Sequence, residues 1–165
     1  MIDSNQWLQN VSQRLAANGY KQMQPQIYQA QNFKFAAHRS RFEITKFGIA
    51  ENFFTFAEIP NLTVGVLQGF SNSAFEFAKA NKSSPLPNGF FTATFSYAVA
   101  ITANVPAEFA QYIFATAPAK HWSAFEIAAV FDVANGGLYY FTGTPVWGAA
   151  YYNGFRREIQ SNLAG

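Results

Sequence analysis

Hydrophobic and polar positions change period several times along this chain, and each change predicts an element. Between Ser4 and Asn18 the apolar residues Trp7, Leu8, Val11 and Leu15 recur at the spacing of one helix face, with Asp3 or Ser4 as a cap and Gly19 as a stop. Over residues 22–59 the period shortens to two. Phe33 and Phe35, Phe42 and Ile44, and Phe54 and Phe56 alternate with polar residues, which predicts a meander of antiparallel strands with a turn at Gly48 to Asn52 between the last two runs. A helical period returns after Asn61, a ready cap, with Leu62, Val66, Phe70, Ala74 and Phe77 on one face. Gly65 and Gly69 each cost that helix about 1 kcal/mol relative to Ala, so they are read as marks of close packing on a sheet.

Beyond the Pro- and Gly-bearing loop Ser83 to Gly89 comes the clearest strand. Phe91, Ala93, Phe95, Tyr97, Val99 and Ile101 take the odd positions, while Thr92, Thr94 and Ser96 take even ones. Pro106 suits the first turn of a short helix carrying Phe109, Tyr112 and Ile113, and Pro118 follows its end. Residues 124–133 and 138–142 read as a hairpin around Asn135-Gly136-Gly137, and Tyr152, Phe155, Ile159 and Leu163 mark a last helix. The predicted order is α-β-β-β-α-β-α-β-β-α. Short links outnumber crossovers, so the expected fold is α+β: a single domain over 1–165, with a largely antiparallel sheet and helices packed on it.

Composition sharpens this picture. The length, 165 residues, suits one domain. Half the residues are hydrophobic and only 12% are charged, against about 25% in an average soluble domain, so burial dominates and disorder is excluded. The 19 Phe, 8 Tyr and 3 Trp are enough to fill a core and leave rings for an interface. A net charge of +2 gives no broad field for nucleic acid or anionic lipid, so nucleic acid is not the expected partner. The absence of cysteine excludes disulfides, thiolate catalysis and cysteine-ligated metals. No stretch has the pattern of a signal peptide or a membrane span, which sets the expectation of a cytoplasmic protein.

Three polar or aromatic concentrations are candidate sites. The first is Lys34, His38, Arg39, Arg41 and Lys46. On an extended strand Arg39, Arg41 and Glu43 share a side opposite to His38, a spacing that lets two guanidiniums grip a phosphate or carboxylate with Glu43 holding one in place; His38, Arg39, Arg41 and Lys46 are the candidate anion-binding residues, set against a charged strand edge that prevents edge-to-edge pairing. The second is Lys120-His121-Trp122 with Glu126 and Asp132, where His121 and Glu126 are candidate acid and base, and Trp122 with Phe125 equally pins a loop to the core. The third is the segment from Thr144 to Tyr152, whose Trp147, Tyr151 and Tyr152 join Trp122 as candidate interface or pocket residues. Arg156 and Arg157 beyond it are read as complementing the last helix's dipole. Two distant histidines without an HxxxH pattern give no metal site, and no dinucleotide or Walker motif is present, so no cofactor is expected.

The α-β-β-β-α-β opening resembles the element order of the restriction-endonuclease-like nucleases. That family holds a divalent metal with an Asp on one strand and an acidic-x-Lys triplet on the next. Here Asp3 is the last Asp before Asp132, and Glu43-Ile44-Thr45-Lys46 has one residue too many between acid and lysine. Separately, the stretches Ala37 to Glu43, Lys120 to Glu126 and Thr144 to Tyr152 look like segments of an uncharacterised family of small cyanobacterial proteins. This resemblance spans most of the chain and implies a bacterial cytoplasmic protein, and it implies no activity.

The preferred expectation is therefore a non-catalytic binding domain with an aromatic contact surface, whose partner is another protein or a second copy. The alternative is a small-molecule or phosphate-ester enzyme that holds a small anionic ligand with Arg39 and Arg41 and uses His121 as acid or base. The third is a nucleic-acid-binding or restriction-endonuclease-like protein.

Overall fold

Asp3, rather than Ser4, caps the first helix in the computed structural model, which describes residues 2–43, 48–86, 89, 91–145 and 149–165. Its carboxylate accepts the Asn5 and Gln6 amides, and helix α1 (Ser4–Ala17) buries Trp7, Leu8, Val11 and Leu15 as its spacing predicts. A two-residue strand β1 (Lys21–Gln22) leads to α2 (Pro25–Gln29), a single turn begun by Pro25 that is too short to show a period in the sequence. There follow β2 (Phe35–Glu43), β3 (Gly48–Glu58), α3 (Val64–Asn81), β4 (Thr92–Thr102), α4 (Ala107–Ala115), β5 (Ala119–His121), β6 (Ala124–Asp132), β7 (Gly137–Tyr140) and α5 (Ala149–Leu163).

Among the described residues seven strands form one mixed sheet, in the order β1-β2-β3-β4-β6-β5, with β7 also on the outer side of β6. The fold is α+β, and four of its six strand pairings are antiparallel. The two central pairings, β3 with β4 and β4 with β6, are parallel, because α3 and α4 carry the chain back before each new strand. Helices cover both faces at the centre, so β3 and β4 are buried along nearly their whole length. One face, with Phe54, Phe56, Phe95, Tyr97, Val99, Ile127 and Phe131, packs under α1 and α5. Trp7 of α1 stacks on Phe131 at 3.8 Å and Phe54 on Tyr97 at 4.5 Å. The other face, with Ala36, Phe53, Ala98, Ala100 and Val130, lies under α2, α3 and α4. The alternation in β4 therefore separates two buried faces of different polarity, with Thr92, Thr94 and Ser96 beneath α3.

Several local expectations are corrected. Gly48 to Asn52 is not a turn but the first half of β3, in register with Glu43 to Arg39 of β2. Gly48 is small for another reason: a Cβ there would run into the backbone carbonyl of Phe91. Helix α3 is capped by Thr63 rather than Asn61, with Thr63 Oγ1 accepting the Val66 amide at 3.3 Å. Its buried residues are Leu67, Phe70, Ser71, Ala74, Phe75, Phe77 and Ala78, while Leu62 precedes the helix and Val66 is exposed. Gly65 and Gly69 do not mark close packing, since a methyl group on either would meet nothing within 4 Å. Neither has the positive φ that requires glycine. Gly69→Ala is thus expected to raise stability by about 0.5–1 kcal/mol, through helix propensity and a less flexible unfolded chain. Thermal melting of the single variant checks this.

The hairpin forms where Asn135-Gly136-Gly137 predicts it, with Gly136 at φ 74° and the Asn135 side chain accepting the Gly137 amide at 2.6 Å. Among the described residues no helix is long and apolar enough to cross a membrane.

Candidate functional site

Strand alternation sends His38 and Arg39 to opposite faces of β2, so the structure does not gather the sequence-predicted anion set around one point. Arg39 lies on the α5 side. Its Nη2 donates to Glu158 Oε1 at 2.5 Å, its Nη1 donates to the Asn18 carbonyl at 2.9 Å, and the guanidinium sits 4.4 Å from the centre of the Tyr20 ring. Tyr20 in turn donates its hydroxyl to Glu158 Oε2 at 2.8 Å; burial, then the Glu158 carboxylate, push the Tyr20 phenol far above its ordinary value. Arg39 therefore ties β2 to the α1–β1 turn and to α5. Arg41 is exposed, and Lys46 lies outside the described residues.

On the α3 face, His38 meets a group the sequence reading passed over. Glu51 of β3 is fully buried, with Oε2 2.5 Å from His38 Nε2. The Ser83 hydroxyl donates to both of its oxygens, at 2.9 and 3.1 Å, and the Ser84 amide donates to Oε1 at 2.8 Å. Burial alone would raise the Glu51 pKa, but these hydrogen bonds outweigh it and hold the carboxyl below the usual glutamate value. A charged residue inside the run Ile49-Ala50-Glu51-Asn52-Phe53 is the signal that marks this pair, because a carboxylate in a buried strand requires partners. Phe53, not a lysine, stands two positions after that acid.

Across the same face stands a second pair of the same kind. His121 of β5 places Nε2 2.5 Å from Oε1 of Glu126 on β6, and its ring stacks on Phe75 of α3 at 4.4 Å. The structure thus joins the two residues named as candidate acid and base. Asp132 stands apart, at the far end of β6, where it accepts the Val105 and Ala134 amides. Lys120 and His121, which lie outside every strand predicted from the sequence, sit on the edge strand β5.

His121 also lines a cleft of about 470 Å³ where β3, β4 and β6 begin. Ile49, Phe91, Thr92, Lys120, Trp122 and Tyr151 are among its walls. Large rings crowd this end: Trp122 is 81% exposed, Phe91 71%, Phe42 65% and Tyr151 41%, and Phe42 is the strand neighbour of the cleft residue Ile49. Phe125 is buried and stacks on Tyr151 at 5.7 Å, whereas Trp122 stays in solvent and pins nothing to the core. Phe91 and Ser123, both lining the cleft, hold φ angles of 62° and 50°, a backbone region that bulky residues rarely adopt. Phe42 and Phe91 were absent from the sequence-derived set because alternation alone assigns each to an ordinary strand.

Tyr152 is buried instead, edge-on to Phe141 and Phe155, and Trp147 lies outside the described residues. Arg156, like Arg157, sits in the middle of α5 rather than in its last turn, so it does not complement the helix dipole. It donates to the carbonyls of Thr142 and Gly143 and to the side chains of Thr144 and Asn153, which fastens the 142–144 loop to α5. Among the described residues no group of three or more His, Asp or Glu side chains is placed to hold a metal ion. No protein-family model, no curated protein and no solved structure matches this chain.

Proposed function

We propose that this chain is a non-catalytic interaction domain whose contact surface is the aromatic end of the sheet. The observation that carries the reading is the concentration there of Phe42, Phe91, Trp122 and Tyr151, all exposed, in a chain that buries most of its other rings. Contiguous exposed rings are costly in water and are the residues that dominate protein interfaces. The left-handed backbone at Phe91 adds support, since such strain persists where the surrounding structure maintains it and clusters at functional surfaces. Self-association is the simplest form of the contact, because a two-fold axis brings the same ring cluster of two copies together.

Sedimentation velocity over a range of protein concentrations tests this. The wild-type chain is expected to associate, whereas Phe91→Asn with Trp122→Ala stays monomeric and melts within about 2 °C of wild type, as surface changes do. Asparagine at 91 tolerates the positive φ while removing the ring. Wild-type chain that stays monomeric throughout the range would overturn self-association.

The second reading, a small-molecule or phosphate-ester enzyme, draws on the His121–Glu126 pair at the cleft margin: a half-exposed imidazole oriented by a carboxylate is the arrangement of a general base. Neither Arg39 nor Arg41 lines that cleft among the described residues, so Lys120 would supply the positive charge for an anionic substrate. A thermal-shift screen against metabolites, nucleotides, phosphorylated sugars, metals and short nucleic acids separates the classes. A shift with an anionic ligand that Lys120→Gln abolishes favours the enzyme reading; a shift with short nucleic acids that fades with added salt favours the third.

A further inference from the structure

A second pocket, of about 300 Å³, lies on the α3 face between α3, α4 and the strands β5 and β6. Its volume is at the lower end of the roughly 300–1,000 Å³ typical of small-molecule sites. Leu67, Ile113, Pro118 and Phe141 supply apolar walls. Among the described lining residues Glu126 is the one charged group, with Ser71, Gln68, Tyr112 and Thr116 as neutral polar groups and no Lys, Arg or His.

The Glu126 carboxylate is only 10% exposed, and its hydrogen bonding is incomplete. Oε1 faces His121, but the only partner of Oε2 among the described residues is the Ser71 hydroxyl at 3.4 Å, the outer limit of a hydrogen bond. Beside it in register, the buried Ser96 Oγ has no partner among the described residues either. Gln68 donates its amide nitrogen to the Tyr112 hydroxyl at 2.9 Å, which leaves its carbonyl oxygen as a second acceptor. A buried carboxylate oxygen without a full set of donors is costly, and a donor-bearing cation supplies what it lacks.

We propose that this pocket binds a small organic ammonium ion with an apolar body, its nitrogen donating to Glu126 Oε2 and its hydrocarbon lying against Leu67, Ile113 and Phe141. The charge of the lining selects a cation, and the apolar walls select one with carbon attached rather than a bare inorganic ion. The pocket shares no lining residue with the aromatic cleft, so the proposal does not depend on the interaction surface there: His121 touches Glu126 from the cleft side, whereas the ligand approaches from the α4 side.

Isothermal titration calorimetry with 2-phenylethylammonium and its neutral analogue 2-phenylethanol tests the proposal. The ammonium ion is expected to bind at least about tenfold more tightly than the alcohol, the scale of one charge-assisted hydrogen bond. Glu126→Gln should abolish that preference. Because Glu126→Gln breaks the pair with His121 and can fail to fold, Ala117→Trp serves as the second variant: Ala117 is an exposed loop residue that lines the pocket, and an indole there obstructs it. Ammonium binding should fall by about tenfold or more in that variant while its melting temperature stays near wild type. The proposal is overturned if wild type binds neither compound at millimolar concentration, if the alcohol binds as tightly as the ammonium ion, or if Ala117→Trp leaves ammonium binding unchanged.

Discussion

Glu51→Ala lowers the stability of this protein by about 3–5 kcal/mol, because it removes a fully buried carboxylate that His38, Ser83 and Ser84 hydrogen-bond. The carboxylate is fully buried, and its loss strands His38 Nε2, the Ser83 hydroxyl and the Ser84 amide around a cavity in the sheet. For a chain of this length the melting temperature should fall on the order of 10 °C, which differential scanning calorimetry reads directly. A shift under about 2 °C would mean that the cluster contributes little net free energy.

The same residue predicts a pH dependence. Because folding lowers the Glu51 pKa, its contribution is fully present above the unfolded-state value of about 4.3 and is lost as pH falls through the lower folded-state value. Stability should therefore decline on acidification below about pH 4.5, and Glu51→Gln, which keeps the shape without the charge, should decline less steeply. Glu58 is also lowered, by hydrogen bonds from Lys34 and Ser4, but its exposure limits the contribution.

Arg39→Gln is the second large effect, with an expected cost of about 2–3 kcal/mol and a melting temperature lower by about 5–10 °C. The guanidinium joins Glu158 to the Asn18 carbonyl and covers the Tyr20 ring, so its removal leaves Glu158 with Tyr20 and Asn162 as donors and loosens α5 from β2. Arg41→Gln, on the exposed part of the same strand, should change stability by less than about 0.5 kcal/mol. Chemical denaturation of the two variants side by side distinguishes a structural guanidinium from an anion grip. A loss of phosphate or carboxylate binding in both, with stability intact in both, would sink the structural role assigned to Arg39.

The division between what was legible and what was not follows the range of the forces involved. Local periodicity decides which face of a helix or strand is apolar, and so the sequence alone determined the face of α1 through Trp7, Val11 and Leu15, the face of α5 through Phe155 and Ile159, the alternation of β4, and the hairpin at Asn135-Gly136. It also separated His38 from Arg39, since adjacent strand residues point to opposite sides. Pairings between distant segments carry no local signal. Only the tertiary structure brought Glu51 to His38 and Ser83, committed Arg39 to Glu158, and made the centre of the sheet parallel through the α3 and α4 crossovers. The same holds for the exposed rings: Phe42, Phe91, Trp122 and Tyr151 are common residues in sequence, and they become one surface because β2, β3, β4 and β6 share an end. The physical reason is that burial depends on which segments cover one another, and hydrophobic pattern specifies that covering only for residues within a few turns or strand positions of each other.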